Sequence, residues 1–355
     1  MTDAATPVSR DVLHQLPKAD LHCHLDGSLR PATLLELARD KGVAMPRDTA
    51  DALGRFMVVD DARNLEEYLR RFEITLSVMQ RADAIERIAY ELAADAHHDG
   101  VWYIEVRFAP LLNVREGLQT PDVVDAAVRG LARAERELGV IGRVIVTALR
   151  NLPPAQSLEL ARLAVAFRRR GVVGFDLAGP ELGYEAARHQ EAFDHARFHD
   201  MACTCHAGEG DGAGSIRQAI HVCGVHRVGH GTRLFEDPSL LEYVNDRRIP
   251  IEVCVTSNVQ TRVAASYAAH PLRQYFDAGL NVVLNTDNRL MSGITLTDEY
   301  AHAATGLGFS LAELSTIAMN SFQSAFLPWP ERAPLIAKAR TRIAALTGGI
   351  ARSGS

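Results

Sequence analysis

The stretch ADLHCHLDGS, residues 19–28, places two histidines and an aspartate at every second position of an apolar run. Alternate side chains of a β-strand point to the same side. A strand here therefore turns His22, His24 and Asp26 to one face, where a hydrophobic core has no use for them. Imidazole and carboxylate groups that converge in this way are typical metal ligands. The stretch predicts a strand that ends in a metal site.

The rest of the chain repeats this unit, a short β-rich run followed by a helical stretch. We predict eight strands, at residues 19–25, 101–108, 143–149, 172–178, 202–206, 227–231, 250–256 and 281–286. Several are near-continuous apolar runs, as expected of strands that are covered on both faces. Eight strands separated by helices are the count and order of a (β/α)8 TIM barrel, an α/β fold. Residues 27–100 are too many for one crossover, so we expect extra helices inserted after strand 1, over the barrel mouth.

A doubly wound open sheet is the alternative arrangement of alternating strands and helices. That fold carries a glycine-rich phosphate turn, G-x-G-x-x-G, after its first strand. The corresponding segment here, HLDGSL at residues 24–29, has one glycine where the motif needs three. The chain also has no internal repeat, low-complexity tract or linker. We therefore expect residues 1–355 to form a single barrel domain.

The composition excludes several classes of partner. A net charge of −6 at pH 7 gives no positive surface for nucleic acid. No apolar run approaches the roughly 18 residues of a membrane span, and residues 1–10 lack the apolar segment of a secretory signal. The five cysteines are odd in number and lie mostly in strand-like runs, which is typical of free thiols in a reducing compartment. We expect a cytoplasmic protein that binds neither nucleic acid nor membranes, of unknown oligomeric state.

Reactive side chains stand at the ends of five of the predicted strands. The groups are His22, His24 and Asp26 after strand 1, DLAGPE (176–181) after strand 4, HAGE (206–209) after strand 5, His230 after strand 6, and Asp287 with Asn288 after strand 8. Any one of them alone is more often a structural polar group. Active sites of TIM barrels lie at the carboxyl ends of the strands. A barrel brings these five ends together around one mouth, whereas a helical bundle or a sandwich would not. The set therefore predicts an active site.

Six segments together strongly resemble the adenosine deaminase family of metal-dependent barrel hydrolases. They are KADLHCHLDGSL (18–29), VVGFDLAGPE (172–181), HAGEGDG (206–212), RVGHGTRL (227–234), EVCVTSNVQT (252–261) and VVLNTDNRL (282–290). The segment LEEYLRRFEITLSVMQ (65–80) is similar to the helical region that follows the first strand in this family. The resemblance implies hydrolytic deamination of adenosine and 2′-deoxyadenosine to inosine and 2′-deoxyinosine plus ammonia by a metal-activated water, a reaction of purine salvage.

The resemblance also implies roles for individual residues. The metal ligands are His22, His24, His206 and Asp287. Glu209 is the proton donor and His230 lies beside the metal-bound water. The substrate contacts are His24, Asp26, Gly179 and Asn288. Three imidazoles and a carboxylate suit zinc as a catalytic ion, although iron or manganese also fits such ligands.

A single metal ion is expected. Related barrel hydrolases often hold two metals that are bridged by a carboxylated lysine on strand 4. The segment VVGFDLAG, residues 172–179, contains no lysine, and the lysines of the chain are Lys18, Lys41 and Lys338. We therefore expect one Zn²⁺ per chain.

The implied chemistry agrees with the residue types. A catalytic metal lowers the pKa of a bound water from ~15.7 towards ~7, and Asp287 and His230 would orient this water and accept its proton. Glu209 stands three residues after His206, where a protonated carboxyl can donate to purine N1 and make C6 electrophilic. Such a carboxyl needs a raised pKa, which a dry pocket supplies.

The chain departs from the common family pattern at two places. Asn288 and Arg289 stand where the family more usually has a second aspartate, which contacts purine N7, and often a proline. An amide can donate a hydrogen bond to N7 without first acquiring a proton, so deamination stays the expectation. In CVTSN, Val255 replaces the common proline, a change to which we assign no effect.

Two other functions compete with adenosine deamination. The first is the same chemistry on another 6-aminopurine, such as adenine or N6-methyl-AMP. Asp26 favours a nucleoside, because its carboxylate would repel a phosphate. The second is a catalytically inactive purine-binding protein on the same barrel. That protein should have lost a ligand or the acid, yet all of them are present in this chain.

Overall fold

The strands of the computed structural model, which describes residues 8–60 and 71–353, form one parallel sheet in the order β1 to β8. Their bounds are β1 Lys18–His24, β2 Val101–Phe108, β3 Ile141–Leu149, β4 Val172–Ala178, β5 Ala202–Ala207, β6 Arg227–His230, β7 Ile251–Val253 and β8 Val282–Leu284. All eight predicted strands are confirmed. β7 is shorter than predicted because a helix begins at Val255, directly after the strand.

The sheet closes into a barrel where β8 meets β1. The backbone amide of His24 donates to the carbonyl of Asp287 at 2.6 Å, and the amide of Asp287 donates to the carbonyl of His22 at 2.8 Å. Nearer the amino ends of the two strands, the backbone amide of Leu21 donates to Asn285 Oδ1 at 2.8 Å. The predicted (β/α)8 barrel is therefore confirmed, and its closure places Asp287 beside the histidines of β1.

Helices connect the strands and cover the outside of the barrel. Among the described residues they are α1 Arg10–Gln15, α2 Pro31–Lys41, α3 Ala50–Met57, α4 Phe72–Leu76, α5 Ala82–His98, α6 Thr120–Leu138, α7 Pro154–Phe167, α8 Gln190–Phe198, α9 Ala213–His221, α10 Pro238–Asp246, α11 Val255–Gln260, α12 Leu272–Asp277, α13 Arg289–Ser292, α14 Leu296–Leu307, α15 Leu311–Ser324 and α16 Trp329–Ser353. Short 3-10 turns lie at Pro110–Asn113, Ala186–His189 and Leu234–Glu236.

The insertion after β1 carries α2 to α5, which confirms the extra helices predicted there. Pro31 occupies the first turn of α2, and Gly42 ends that helix with a φ of 67°, a left-handed conformation that favours glycine. Phe72 and Leu76 of α4 reach the cavity at the barrel mouth. The first part of the family-like segment 65–80 lies outside the described residues.

The floor of the barrel interior is charged rather than apolar. The fully buried carboxylate of Glu252 on β7 accepts hydrogen bonds from Arg107 Nη2 at 2.9 Å and from Arg227 Nε at 2.6 Å. Buried charges persist only when they are paired in this way. The network fixes the acidic side chains that stand directly below the barrel mouth.

Two further features of the structure concern its helices and its cysteines. In the described part of the chain, no helix has both the length and the apolar character needed to cross a membrane. The five cysteines are buried and none forms a disulfide.

Candidate active site

The carboxyl ends of the strands surround one cavity of about 250 Å³, which is too large for a metal ion alone. His22 lies below the cavity and is fully buried. The other predicted site residues line it, namely His24, Asp26, Gly179, His206, Glu209, His230, Asp287 and Asn288. The structure thus brings all nine of the predicted residues to one place.

The backbone is unusual where the site residues leave their strands. His230 has a φ of 60° and Asp287 a φ of 56°, although left-handed backbone is uncommon for residues other than glycine. Such conformations cluster at functional sites, where the surrounding structure holds them in place. Gly179, with a φ of 98°, needs to be glycine for the same reason. These turns aim their residues into the barrel mouth.

Imidazole and carboxylate groups form a tight cluster at the bottom of the cavity. The Oδ1 atom of Asp287 lies 3.5 Å from His22 Nε2 and 3.4 Å from His24 Nε2. His24 Nε2 also lies 3.1 Å from His206 Nε2. A further grouping, in which His230 replaces His24, has one potential ligand atom per residue, all within 4.8 Å of one another. The cluster offers more donor atoms than one metal ion needs from protein.

Two of these imidazoles are oriented from behind by carboxylates. Nδ1 of His22 lies 2.9 Å from Glu252 Oε2, and Nδ1 of His206 lies 3.2 Å from Asp176 Oδ1. An ionised carboxylate only accepts hydrogen bonds, so Nδ1 carries the hydrogen and Nε2 keeps its lone pair. This arrangement is the usual support of a metal-ligating histidine.

Both carboxylates behind the imidazoles are ionised. Burial opposes ionisation of Asp176, but His206 and Arg107 hold the pKa of that carboxyl below its usual range. In the same way Arg107 and Arg227 overcome burial and hold the pKa of Glu252 well below its usual range.

The open lone pair supplies a direct test of whether a metal fits. His22 Nε2 is buried and has no hydrogen-bond partner, and a buried polar atom without a partner costs free energy. Asp287 provides a negative charge at the same point. Burial opposes its ionisation, yet His22 and the other neighbouring imidazoles hold the pKa of Asp287 well below its usual range. The donor set therefore fits a divalent ion such as zinc.

Glu209 is a buried carboxyl at the side of the cavity. Its Oε2 atom lies 3.5 Å from His230 Nε2, and its Oε1 atom lies 3.4 Å from Thr261 Oγ1. Burial raises the pKa of Glu209 well above its usual range, and the charges of Asp287 and Glu181 add to this effect. A carboxyl in these surroundings is protonated near neutral pH and can donate a proton.

The loop that carries Glu209 is held by another carboxylate. Glu181 accepts hydrogen bonds from the four backbone amides of residues 208–211 at 2.6 to 3.2 Å. Glu181 itself follows β4 in the segment DLAGPE. This anchoring fixes the position of Glu209 relative to the cavity.

Two further residues present polar atoms that have no partner within the protein. Asp26 Oδ1 and Asn288 Oδ1 are both buried without a hydrogen bond. Burial raises the pKa of Asp26 to about 7. A Cβ atom added to Gly27 would lie 1.8 Å from Asn288 Oδ1, so the missing side chain of Gly27 makes room for Asn288. Both residues are therefore placed to meet a ligand.

The residues that support the site from behind are not among those predicted from the sequence. Asp176 and Glu252 orient His206 and His22, and Ser257 Oγ donates to Asp287 Oδ2 at 2.6 Å. One signal for the two acids was available, because each stands inside an otherwise apolar strand. A buried acid in such a run needs a partner.

Comparison with known proteins agrees with this geometry. Residues 17–341 match the family described as adenosine deaminase. The chain is 43% identical over 340 residues to the adenosine deaminase of Mycobacteroides abscessus, covering 91% of this chain and 93% of that protein. It is 42% identical over 324 residues to a probable adenosine deaminase of Dictyostelium discoideum, where the match covers 91% of this chain but 42% of that longer protein.

Solved structures share the fold at lower identity. An amidohydrolase from Burkholderia ambifaria with bound Zn has a TM-score of 0.87 and 26% identity over 99% of this chain and 97% of that one. An adenine deaminase from Arthrobacter aurescens has a TM-score of 0.85 and 27% identity, covering 92% and 98%. The N6-methyl-AMP deaminase from Arabidopsis thaliana has a TM-score of 0.82 and 27% identity, covering 94% and 98%. With its barrel, its buried histidine and aspartate cluster and these similarities, the chain belongs to the adenosine deaminase family, as its sequence motifs predicted.

Proposed function

We propose that this chain catalyses the hydrolytic deamination of adenosine and 2′-deoxyadenosine to inosine and 2′-deoxyinosine, with release of ammonia. The observation that carries the proposal is one cavity that contains both a buried acid beside the histidine and aspartate cluster and a second buried carboxyl group with an unpartnered oxygen. Glu209 is a buried acid of raised pKa beside the histidine and aspartate cluster. Asp26 presents a buried oxygen that has no partner. We assign the reaction to purine salvage in the cytoplasm and treat residues 1–355 as one catalytic domain.

In this proposal His22, His24, His206 and Asp287 hold one zinc ion. The support is the lone pair of His22 Nε2, the carboxylates behind His22 and His206, and the ionised Asp287 between the imidazoles. When bound, zinc supplies Lewis acidity that brings the pKa of water from 15.7 to about 7. Elemental analysis should find about one metal per chain, and His22→Ala or Asp287→Ala should abolish turnover. Active protein with no metal, or with two per chain, would rule out this site.

Two carboxyl groups of the protein, those of Glu209 and Asp287, carry out the proton transfers. Glu209 donates its proton to purine N1, which makes C6 electrophilic and stabilises the tetrahedral adduct. Asp287, ionised and fixed through its other oxygen by Ser257, accepts the proton that water loses when it adds to C6. Asp287 then passes this proton to the 6-amino group, which leaves as ammonia, while the C6 hydroxyl loses its proton and becomes the carbonyl of inosine. That last proton restores the protonated form of Glu209. Gly179 and Asn288 line the cavity where the purine ring would lie.

The charges of the cavity favour a nucleoside over a nucleotide. Among the described residues that line it, there is no lysine or arginine. Asp26, Glu209 and Asp287 contribute carboxyl groups, and Glu73 at the rim is already paired with Arg115 at 2.8 Å. A phosphate would meet these carboxyl groups without a cation to balance it. N6-methyl-AMP is therefore the weaker alternative.

Asp26 also favours a nucleoside over free adenine. Its buried Oδ1 atom lacks a donor within the protein, and the imidazole nitrogen His24 Nδ1 is 4.0 Å away. A ribose hydroxyl can supply that donor, whereas adenine has no group beyond the purine ring. The cavity extends beyond the histidine and aspartate cluster to the apolar residues Phe72, Leu76 and Leu112, which leaves space for the sugar.

The test is the variant Asp26→Asn, assayed with adenosine and with adenine. Asparagine keeps an acceptor oxygen but removes the charge, and a hydrogen bond to a neutral group is weaker by ~1–2 kcal/mol. The value of kcat/KM for adenosine should therefore fall about 5- to 30-fold. Any activity on adenine should stay the same. The matched control is Glu73→Gln, which removes a carboxylate from the rim of the same cavity and should change neither substrate by more than about threefold. Equal losses of Asp26→Asn on both substrates would contradict the role of Asp26 in binding the sugar.

A further inference from the structure

His230 is the one imidazole of the described cluster whose Nδ1 atom faces an amide. The Nδ2 atom of Asn258 lies 3.0 Å from His230 Nδ1, and both side chains are buried. An amide Nδ2 group can only donate a hydrogen bond, so Nδ1 of His230 must accept. In a neutral imidazole the hydrogen then sits on Nε2, the atom that faces the cavity.

The orientation of the Asn258 amide is itself fixed by a chain of hydrogen bonds. The backbone N–H of Leu272, an obligatory donor, lies 3.1 Å from His270 Nδ1. His270 is buried, which lowers its pKa to about 3 and keeps the ring neutral. Its Nε2 atom therefore carries the hydrogen and donates to Asn258 Oδ1 at 3.1 Å. Thr232 Oγ1 donates to the same oxygen at 3.0 Å, which leaves Nδ2 to face His230.

We propose that Asn258 and His270 are positioning residues that lock His230 in the tautomer with the hydrogen on Nε2. We call the chain of hydrogen bonds from Leu272 through His270 and Asn258 to His230 the relay. It starts at a backbone N–H, which can only donate, so the direction of each later bond is fixed. This inference rests on the proposed function for its catalytic consequence but not for the tautomer itself. It gives a role to Asn258, the asparagine of CVTSN, and to His270, neither of which has a role predicted from the sequence.

The relay distinguishes His230 from the neighbouring imidazoles. His22 and His206 donate from Nδ1 to carboxylates and so direct a lone pair from Nε2 into the cluster. His230 accepts at Nδ1 and so directs a hydrogen. A ring nitrogen that carries a hydrogen cannot ligate a metal. Asn258 and His270 thereby keep His230 from acting as a metal ligand, although its ring nitrogen lies within 4.8 Å of the ligand atoms of His22, His206 and Asp287.

The proposed tautomer also gives His230 a role that differs from the sequence-based prediction, in which His230 shares with Asp287 in accepting the proton of water. With its hydrogen on Nε2, neutral His230 has no free lone pair in the cavity and acts as a hydrogen-bond donor. It can stabilise the oxygen that adds to C6, and Asp287 remains as the proton acceptor.

The tautomer can be measured directly. Long-range ¹H–¹⁵N correlation spectra of the full chain with ¹⁵N-labelled histidine distinguish a protonated from an unprotonated ring nitrogen, and His230→Gln identifies the signals. Spectra are recorded at pH 8.5, both without metal and with zinc. We expect Nδ1 of His230 without hydrogen and Nε2 with hydrogen in both samples. A hydrogen on Nδ1 in the unaltered chain would overturn the proposal, whether or not the enzyme turns over adenosine.

The variant Asn258→Asp should reverse the direction of the hydrogen bond between residue 258 and His230, with little change in the shape of the side chain. A carboxylate can still accept from His270 and Thr232, but it can only accept from His230, so the hydrogen should move to Nδ1. An imidazole held in the wrong tautomer costs about 10⁴-fold in kcat in a serine protease. We expect kcat for adenosine to fall at least ~10²-fold, with KM changed less than about threefold. Asn245→Asp alters a half-buried asparagine that donates to the carbonyl of Ala278. It is the matched control and should leave both the spectrum and kcat unchanged.

Each outcome is informative. A shifted tautomer together with a lower kcat supports the proposal. An unshifted tautomer in Asn258→Asp would show that Asn258 does not set it. A shifted tautomer with unchanged kcat would show that the hydrogen on Nε2 has no part in the reaction. If the unaltered chain shows the expected tautomer but no activity on adenosine, the proposed function fails and the positioning role of Asn258 stands.

Discussion

The contact between Asn288 and purine N7 gives the sharpest prediction about substrate recognition. Asn288 is 3% exposed, lines the cavity and lies over Gly27. In our proposal its amide donates a hydrogen bond to N7. The compound 7-deazaadenosine carries a C–H group at that position and cannot accept. The perturbation is therefore made on both sides of one contact, in the protein by Asn288→Leu and in the substrate by the deaza analogue.

The magnitude follows from the burial of Asn288. A buried donor that loses its acceptor costs ~1–3 kcal/mol, which corresponds to roughly 5- to 150-fold in kcat/KM at 1.36 kcal/mol per decade. The unaltered enzyme should show this loss when 7-deazaadenosine replaces adenosine. Asn288→Leu should show a similar loss with adenosine and almost none with the analogue, because no bond remains to be broken.

The assay is steady-state loss of ultraviolet absorbance for two substrates and two enzymes, read as a double-mutant cycle. Asn151→Leu is the matched control, because Asn151 also lines the cavity but lies on the loop after β3. It should change kcat/KM for both substrates by the same factor. If Asn288→Leu also lowers kcat/KM for both substrates equally, Asn288 does not contact N7. Its role would then be to hold Asp287 in place.

Three further predictions concern the acid, the metal support and stability. Glu209→Gln keeps the shape and a donor but cannot deliver a proton, so kcat should fall at least ~10²-fold while elemental analysis finds the metal retained; a near-normal kcat would place the acid elsewhere. Glu252→Gln removes the carboxylate behind His22, and competition with a chelator should show metal affinity about 10- to 100-fold lower, in contrast to exposed Glu242→Gln. Burial raises the pKa of Glu299 from 4.5 to about 8, so the stability that this group contributes is full below pH 4.5 and is lost as pH rises through 8. At 1.36 kcal/mol per unit the loss is on the order of 5 kcal/mol. Glu299→Gln should therefore flatten the fall in the free energy of unfolding in urea between pH 5 and 9, and a slope equal to that of Glu242→Gln would contradict this.

The sequence predicted the barrel because its signals are local. Each strand is a short apolar run, and the reactive residues stand directly after the runs, so strand ends could be located without any long-range information. The ends of β7 and β8 were placed less well. Both strands end two or three residues before their predicted ends, at Val253 and Leu284. The backbone that follows turns Ser257 and Asp287 into the site, where their side chains form a hydrogen bond.

The support of the site could not be predicted in the same way. Glu252 orients His22 across 230 positions of sequence, and Asp176 orients His206 across 30. Such pairs depend on which strands are neighbours and which way each side chain points. The tautomer of His230 depends on one more condition, the direction of three successive hydrogen bonds. Residue types alone do not carry that direction.

The central claim is that this chain deaminates adenosine in preference to other 6-aminopurines. The most direct test is the ratio of kcat/KM values for adenosine, adenine and N6-methyl-AMP, measured on purified chain that contains one zinc ion per molecule. A site that hydrogen-bonds a substrate hydroxyl rejects analogues that lack it by large factors, and carboxyl groups without a cation repel a phosphate. We predict a kcat/KM for adenosine at least ~10²-fold above that for either alternative. A higher kcat/KM for adenine or for N6-methyl-AMP would contradict the claim.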